Sequence, residues 1–184
     1  VKGASQGEGL GNQFLTHIRE TDAIVHVVRC FEDPNVTHVI GGVDPVRDRE
    51  TINVELALAD LQSVEKRLDK SKKSVKGGDK AVAAEVALLE KVLAKLSDGK
   101  PARFPDLDEE QAALLKSFGL ITSKPVLYLA NVAESDLPSA ENAHVAALRK
   151  AVGDEAADII PVCSKIEAEL AQLPPEERTA FLAD

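Results

Sequence analysis

The sequence predicts an α/β fold, a parallel sheet whose strands alternate with helices, interrupted by an inserted antiparallel coiled coil. Three observations carry that prediction. The apolar runs at residues 23–31, 125–130 and 159–163 are rich in Val, Ile and Leu and too short for helices. Between them lie stretches whose apolar residues recur at three and four, the spacing of helices with one buried face. The longest such stretch breaks at Gly77-Gly78 into two apolar stripes that can close on each other. Alternating strands and helices are the pattern of a parallel α/β sheet.

Composition bounds the function. A chain of 184 residues can bury a real core, enough for one domain with an appendage. It starts at Val1 and contains no Met, which reads as a fragment of a longer polypeptide. The net charge of -9 argues against nucleic-acid binding by the surface as a whole, while leaving room for a local basic patch. Cys30 and Cys163 both fall in apolar runs and read as buried, reduced thiols of a cytosolic protein. No apolar run approaches the roughly 18 residues of a membrane span, so a cytoplasmic protein without membrane contact is expected.

Taken in order, residues 1–11 are rich in Gly and polar residues and read as a mobile loop. Their glycines do not make a dinucleotide fingerprint, because the spacing is wrong and no strand precedes them. Phe14, Leu15 and Ile18 take helical spacing, with Asn12 as N-cap. Residues 23–31 form the first strand. His26 and Cys30 suggest a metal pair, but four strand residues span roughly 13 Å, too far for both to reach one ion; structural roles are expected. Glu32-Asp33-Pro34-Asn35 closes the strand, and His38 in the loop beyond has no partner pattern. Asp44 caps a long helix with Val54, Leu58, Leu61, Val64 and Leu68 as its stripe. After Gly77-Gly78 comes a second seam, Val82, Val86, Leu89, Leu93 and Leu96. Each arm would reach about 30 Å if roughly twenty of its residues are helical.

Around the turn between the arms gather Lys66, Arg67, Lys70, Lys72, Lys73, Lys76 and Lys80, opposed only by Asp69 and Asp79. Two readings stand. The cluster is an ordinary solvated turn, or it contacts a phosphate backbone, where exposed cations displace counterions without reading sequence. No aromatic residue lies among the lysines to stack on a base.

Beyond the Pro101 connection, the acidic residues 106–110 open a helix with Ala112, Leu115 and Phe118 on its apolar side. Lys124-Pro125 returns the chain to the sheet. A helix over 139–151 is expected to bury Val145 and Leu148 and to end near Gly153, with His144 on its solvent side. After the strand at 159–163, Ile166, Leu170 and Leu173 mark another amphipathic helix, stopped by Pro174-Pro175, and residues 176–182 make a last short one.

The chemistry gathers where two strands end. The run at 125–130 delivers Asn131 and then Glu134, and the run at 159–163 delivers Ser164-Lys165. Open α/β sheets hold ligands at such carboxyl ends, so the two exits are expected to meet around a nucleotide base. The bland alternative is a strand terminus at Asn131, with Glu134, Ser135 and Asp136 capping the next helix. No Gly-x-x-x-x-Gly-Lys-[Ser/Thr] loop occurs to hold phosphates.

The opening Val1-Lys2-Gly3-Ala4-Ser5 with Gly-Glu-Gly-Leu-Gly, the strand after Asp22, the helical insertion, Asn131-x-x-Glu134 and the final acidic helices together resemble the YchF subfamily of Obg-like P-loop ATPases over essentially the whole chain. The resemblance implies a three-layer P-loop NTPase-like sandwich, partial here. Residues 1–43 and 101–184 would belong to the nucleotide-binding domain and 44–100 to the coiled-coil insertion, with the P-loop and a C-terminal TGS domain lying outside the sequence. It implies that the opening segment is a nucleotide-responsive switch. It also implies ATP as ligand. Related GTPases use Asn-Lys-x-Asp, whose carboxylate accepts the N1 and exocyclic amino hydrogens of guanine; Val132 and Glu134 replace that Lys and Asp. By the resemblance Asn131 reads the base edge, the Val132 backbone contacts adenine, Glu134 shapes the specificity end, and Ser164 stands in the last base-contacting loop. Magnesium would accompany ATP in the intact protein, with its ligands and the catalytic residues outside this chain, which alone should be inactive. The implied partner is the ribosome, through its large subunit or ribosomal RNA. A non-catalytic docking module acting through the basic tip is the alternative.

Overall fold

The computed structural model describes residues 11–38, 41–74, 79–153, 155 and 157–181. The Gly-rich opening, Lys76 and the Gly77-Gly78 break lie outside the described residues. The elements run α1 (Gly11–Arg19), β1 (Ile24–Arg29), α2 (Pro45–Ser74), α3 (Lys80–Ser97), α4 (Glu109–Ser117), β2 (Val126–Asn131), α5 (Ala143–Val152), β3 (Ile159–Val162), α6 (Ser164–Leu170) and α7 (Pro175–Phe181). The α/β architecture with a parallel sheet is the one expected. Two compact units emerge, Val1–Ile24 with Glu50–Pro125, and Val25–Arg49 with Val126–Asp184. No helix among the described residues is long and apolar enough to cross a membrane.

The first unit is helical. Its helix α1 runs from Gly11 to Arg19, and the side chain of Asn12, the expected cap, lies outside what is described. Leu15 and Ile18 pack with Leu56, Ala59 and Ile121, whereas Phe14 stays exposed. Along α2 the expected stripe holds in its second half, where Leu61, Val64 and Leu68 face Leu89, Val92 and Leu96 of α3. It fails in the first half. Val54 and Leu58 are exposed, and Leu56, Ala57, Ala59 and Asp60 are buried instead. On α3, Leu88 and Val92 join the expected seam, because this helix also packs against Ala102, Leu115 and Leu120. An apolar face shared with more than one neighbour is broader than a coiled-coil seam.

Asp60 is fully buried yet fully partnered. Its carboxylate accepts from the backbone N–H of Ile121 (3.0 Å) and Thr122 (2.7 Å), the Thr122 hydroxyl (2.8 Å) and the Arg19 guanidinium (2.9 Å). Arg19 spends its other donors on the Ala59 and Gly119 carbonyls and Ser63 Oγ. A buried charge compensated this completely pins α1, α2 and the 119–122 segment to one arrangement.

The second unit carries the sheet, with strand order β1-β2-β3. Tyr128 pairs with Ile159 and Asn131 with Val162 in a parallel ladder. Cys30 N donates to Asn131 O at 2.8 Å and so extends the β1–β2 ladder past the end of β1. One face is covered by α5, whose Val145, Leu148 and Val152 meet Val28, Cys30, Tyr128, Ala130 and Val132. On the other face Val25, Val27 and Ile160 remain about half exposed. Helix α5 starts at Ala143, later than expected, because the Asn142 side chain accepts from Val145 N at 2.9 Å and caps it there. Asp44 caps α2 as predicted, accepting from Val46 and Arg47 N.

Candidate base-recognition site

Strand β2 ends at Asn131 and β3 at Val162, and the register sets these two residues side by side. The chain beyond each strand therefore leaves the sheet at the same edge. The Asn131 side chain closes the gap, with its Oδ1 accepting from Ser164 N at 3.0 Å. Asn131 and Ser164 are thus brought together, as the sequence reading requires. Val132 is buried, and its N–H donates to Val162 O at 2.9 Å. Any backbone contact from Val132 to a base accordingly falls to its carbonyl.

Glu134 opens a short 3-10 turn, Glu134–Asp136. Its Oε2 lies 2.7 Å from Lys165 Nζ, a second bond between the two exits. Both side chains are more than half exposed. The carboxylate beside it holds the Lys165 ammonium above its ordinary value. The turn itself is fixed by Asp136, whose Oδ2 accepts from Ala133 N (3.2 Å) and Asn142 Nδ2 (2.8 Å), while Asn142 Nδ2 also donates to Cys30 O (2.8 Å). Sequence reasoning placed Lys165 and Asp136 at these exits without foreseeing their bonds, and it missed Asn142. Asp136, expected to help cap the following helix, instead closes its own turn onto Ala133 N, and the cap of α5 is Asn142.

Beneath the exits, Tyr128 is buried in β2, three residues before Asn131. Arg49 Nε donates to its hydroxyl at 3.1 Å, that hydroxyl reaches Glu155 at 3.4 Å, and the Arg49 guanidinium is paired with Glu155. The His26 ring sits 5.4 Å from that of Tyr128. Burial, then the nearby Arg49 charge, lowers its pKa from 6.5 to about 4, so it is neutral at physiological pH. Burial raises the Cys30 thiol to about 11. His38, for which the sequence offered no partner, meets Asp48 at 2.7 Å. Among the described residues no group of three or more His, Cys, Asp or Glu could hold a metal ion.

In the helical unit, Lys66, Lys70, Lys72, Lys73 and Lys80 are exposed. Arg67 is turned inward, with its Nε donating to Glu85 at 2.9 Å and its guanidinium 4.5 Å over the Phe118 ring. Lys72 pairs with Glu90 at 2.8 Å. Asp79, exposed beside the cluster, caps α3 by accepting from Ala81 N.

No family model matches the chain. Over the whole chain it is 51% identical to the ribosome-binding ATPase YchF of Bacillus subtilis, covering 50% of that protein. It is 47% identical to the ribosome-binding ATPase YchF of Haemophilus influenzae, again covering 50% of it, and 44% identical to Obg-like ATPase 1 of Oryza sativa subsp. japonica, covering 47%. A solved structure of the Schizosaccharomyces pombe YchF GTPase superimposes on 98% of the chain with a TM-score of 0.82 at 36% identity, and the chain covers 50% of it. The chain spans about half the length of the curated relatives it matches.

Proposed function

The chain belongs to the family of YchF and Obg-like ATPases, and from that premise we propose that its protein binds and hydrolyses ATP in association with the ribosome. Residues 1–43 and 101–184 serve the nucleotide-binding domain, and 44–100 form its inserted coiled coil. The relatives' names divide, ATPase for the curated proteins and GTPase for the solved structure. The base site must therefore decide the nucleotide.

One observation carries the adenine reading. Asn131, locked to Ser164 N across the two strand exits, stands beside Val132 and Glu134 where a guanine clamp would carry Lys and a free Asp carboxylate. Asn131 offers its amide to the base edge, the Val132 carbonyl can accept from the adenine amino group, and Glu134 with Ser164 borders the specificity end. Magnesium bound with ATP would neutralise charge on the phosphates. The role proposed for this chain's own residues is to bind and orient the base, and no metal ligand is assigned to them.

Titration of the native full-length protein with ATP and with GTP tests the reading. ATP should bind at least about tenfold more tightly, the discrimination expected when one ligand leaves polar groups unpaired. Equal affinities would remove the base-site argument. A second reading, a non-catalytic docking module for the large ribosomal subunit or its RNA, is favoured by five exposed lysines on a chain of net charge -9. It keeps ribosome binding without nucleotide turnover.

A further inference from the structure

The two strand exits are joined by consecutive bonds of different kinds. Ser164 N donates to Asn131 Oδ1 at 3.0 Å, and the next residue, Lys165, places its ammonium 2.7 Å from Glu134 Oε2. The first bond sets an amide at the base edge. The second acts on a carboxylate carried by a turn whose backbone is held by the Asp136 bonds to Ala133 N and Asn142, while the bond to the carboxylate itself comes from Lys165.

A carboxylate at this place has opposite consequences for the two purines. Guanine presents N1–H and an exocyclic amino group along one edge, both donors that an unencumbered carboxylate accepts. Adenine presents the N1 lone pair at the same edge, which an anion repels. An ammonium bound to the carboxylate occupies one of its two oxygens and offsets its charge, so the two-oxygen acceptor that suits guanine is weakened and the repulsion of adenine is reduced. The effect needs no contact between Lys165 and the base.

We propose that Lys165 is a positioning residue that sets base preference by holding the Glu134 carboxylate away from the guanine-accepting role. The proposal rests on the base-site reading above and deepens it. Its strength is bounded by exposure, since both side chains of the pair are more than half exposed. A solvated pair shifts the ratio of ATP to GTP affinity by about twofold to fivefold. Salt should reduce the effect, because screening acts fully on exposed charges.

Calorimetric titration of the native full-length protein with ATP and GTP is the test, on wild type, Lys165→Met, Lys165→Arg, Glu134→Gln and the Glu134→Gln/Lys165→Met double variant. Lys165→Met should weaken ATP and strengthen GTP, and Lys165→Arg should keep the wild-type ratio. In the Glu134→Gln background, removing Lys165 should leave the ratio unchanged, a dependence that a merely structural lysine would not show. An unaltered ratio in Lys165→Met overturns the inference, as does an equal shift with and without the Glu134 carboxylate; either result leaves the adenine reading standing if wild type still prefers ATP. A wild type that binds both nucleotides equally refutes the adenine reading and the inference with it.

Discussion

At the scale of single residues, His26 makes the sharpest statement about pH. Its folded pKa of about 4 lies below the ordinary 6.5, chiefly through burial against the Tyr128 ring and then through the Arg49 charge. The unfolded chain therefore binds a proton here at a higher pH than the folded one. Stability tied to the neutral ring is complete above pH 6.5 and is lost as the pH falls towards 4. Between about pH 7 and pH 4.5 this amounts to on the order of 2 kcal/mol. A His26→Phe variant, which keeps a ring and removes the proton, should show a shallower fall of unfolding free energy in urea titrations across that range. Parallel wild-type and variant curves would show that the imidazole stays solvated. Single residues also mark where the sequence stopped being legible. Asn131 and Glu134 could be found because their signal is local, a strand end followed by two polar groups. Lys165 could be placed at the second exit but not paired, because its meaning depends on a carboxylate 31 positions away in the chain. The Arg49, Tyr128 and Glu155 network was invisible for the same reason, its members being 79 and 106 positions apart.

At the scale of elements, the helical pair α2 and α3 shows what periodicity can and cannot give. The stripe Leu61, Val64 and Leu68 and the seam through Leu89 and Leu96 were readable, since large aliphatic side chains at three and four define a face. The first half of α2 misled because its buried positions include two alanines and an ion-paired aspartate, Ala57, Ala59 and Asp60, which a hydrophobic pattern passes over. Val54 and Leu58 were more apolar and pointed to the wrong face. The difference is measurable. Leu89→Ala, at a fully buried position shared with α2 and the segment around Ala102, should cost about 2–5 kcal/mol of unfolding free energy. Leu58→Ala, at a site 39% exposed, should cost less than about 1 kcal/mol. Denaturant unfolding of the two variants compares them directly, and equal losses would mean that the buried face of α2 is the other one.

At the scale of the whole molecule, the decisive quantity is how charge is distributed. A chain of net charge -9 repels a polyanion at long range, so any docking to ribosomal RNA must be local and must be carried by exposed cations. Sequence alone named seven candidates and could not rank them, because ion pairing is a property of the folded chain. The structure ranks six of them. Arg67 is committed to Glu85 and Phe118, and Lys72 shares its charge with Glu90. Lys66, Lys70, Lys73 and Lys80 are exposed, and Lys76 lies outside the described residues. Replacing Lys70, Lys73 and Lys80 by Gln should therefore weaken cosedimentation with ribosomes and flatten its dependence on salt. Each lost phosphate contact lowers the slope of log affinity against log salt concentration by roughly 0.7–0.9, so the triple variant should lose about 2–3 if all three lysines make one. Arg67→Gln should behave differently, lowering unfolding stability through its lost pair and stacking while leaving the salt slope unchanged. If the triple variant keeps both the affinity and the slope of the wild type, Lys70, Lys73 and Lys80 are solvated surface and the proposed docking through this basic cluster is wrong.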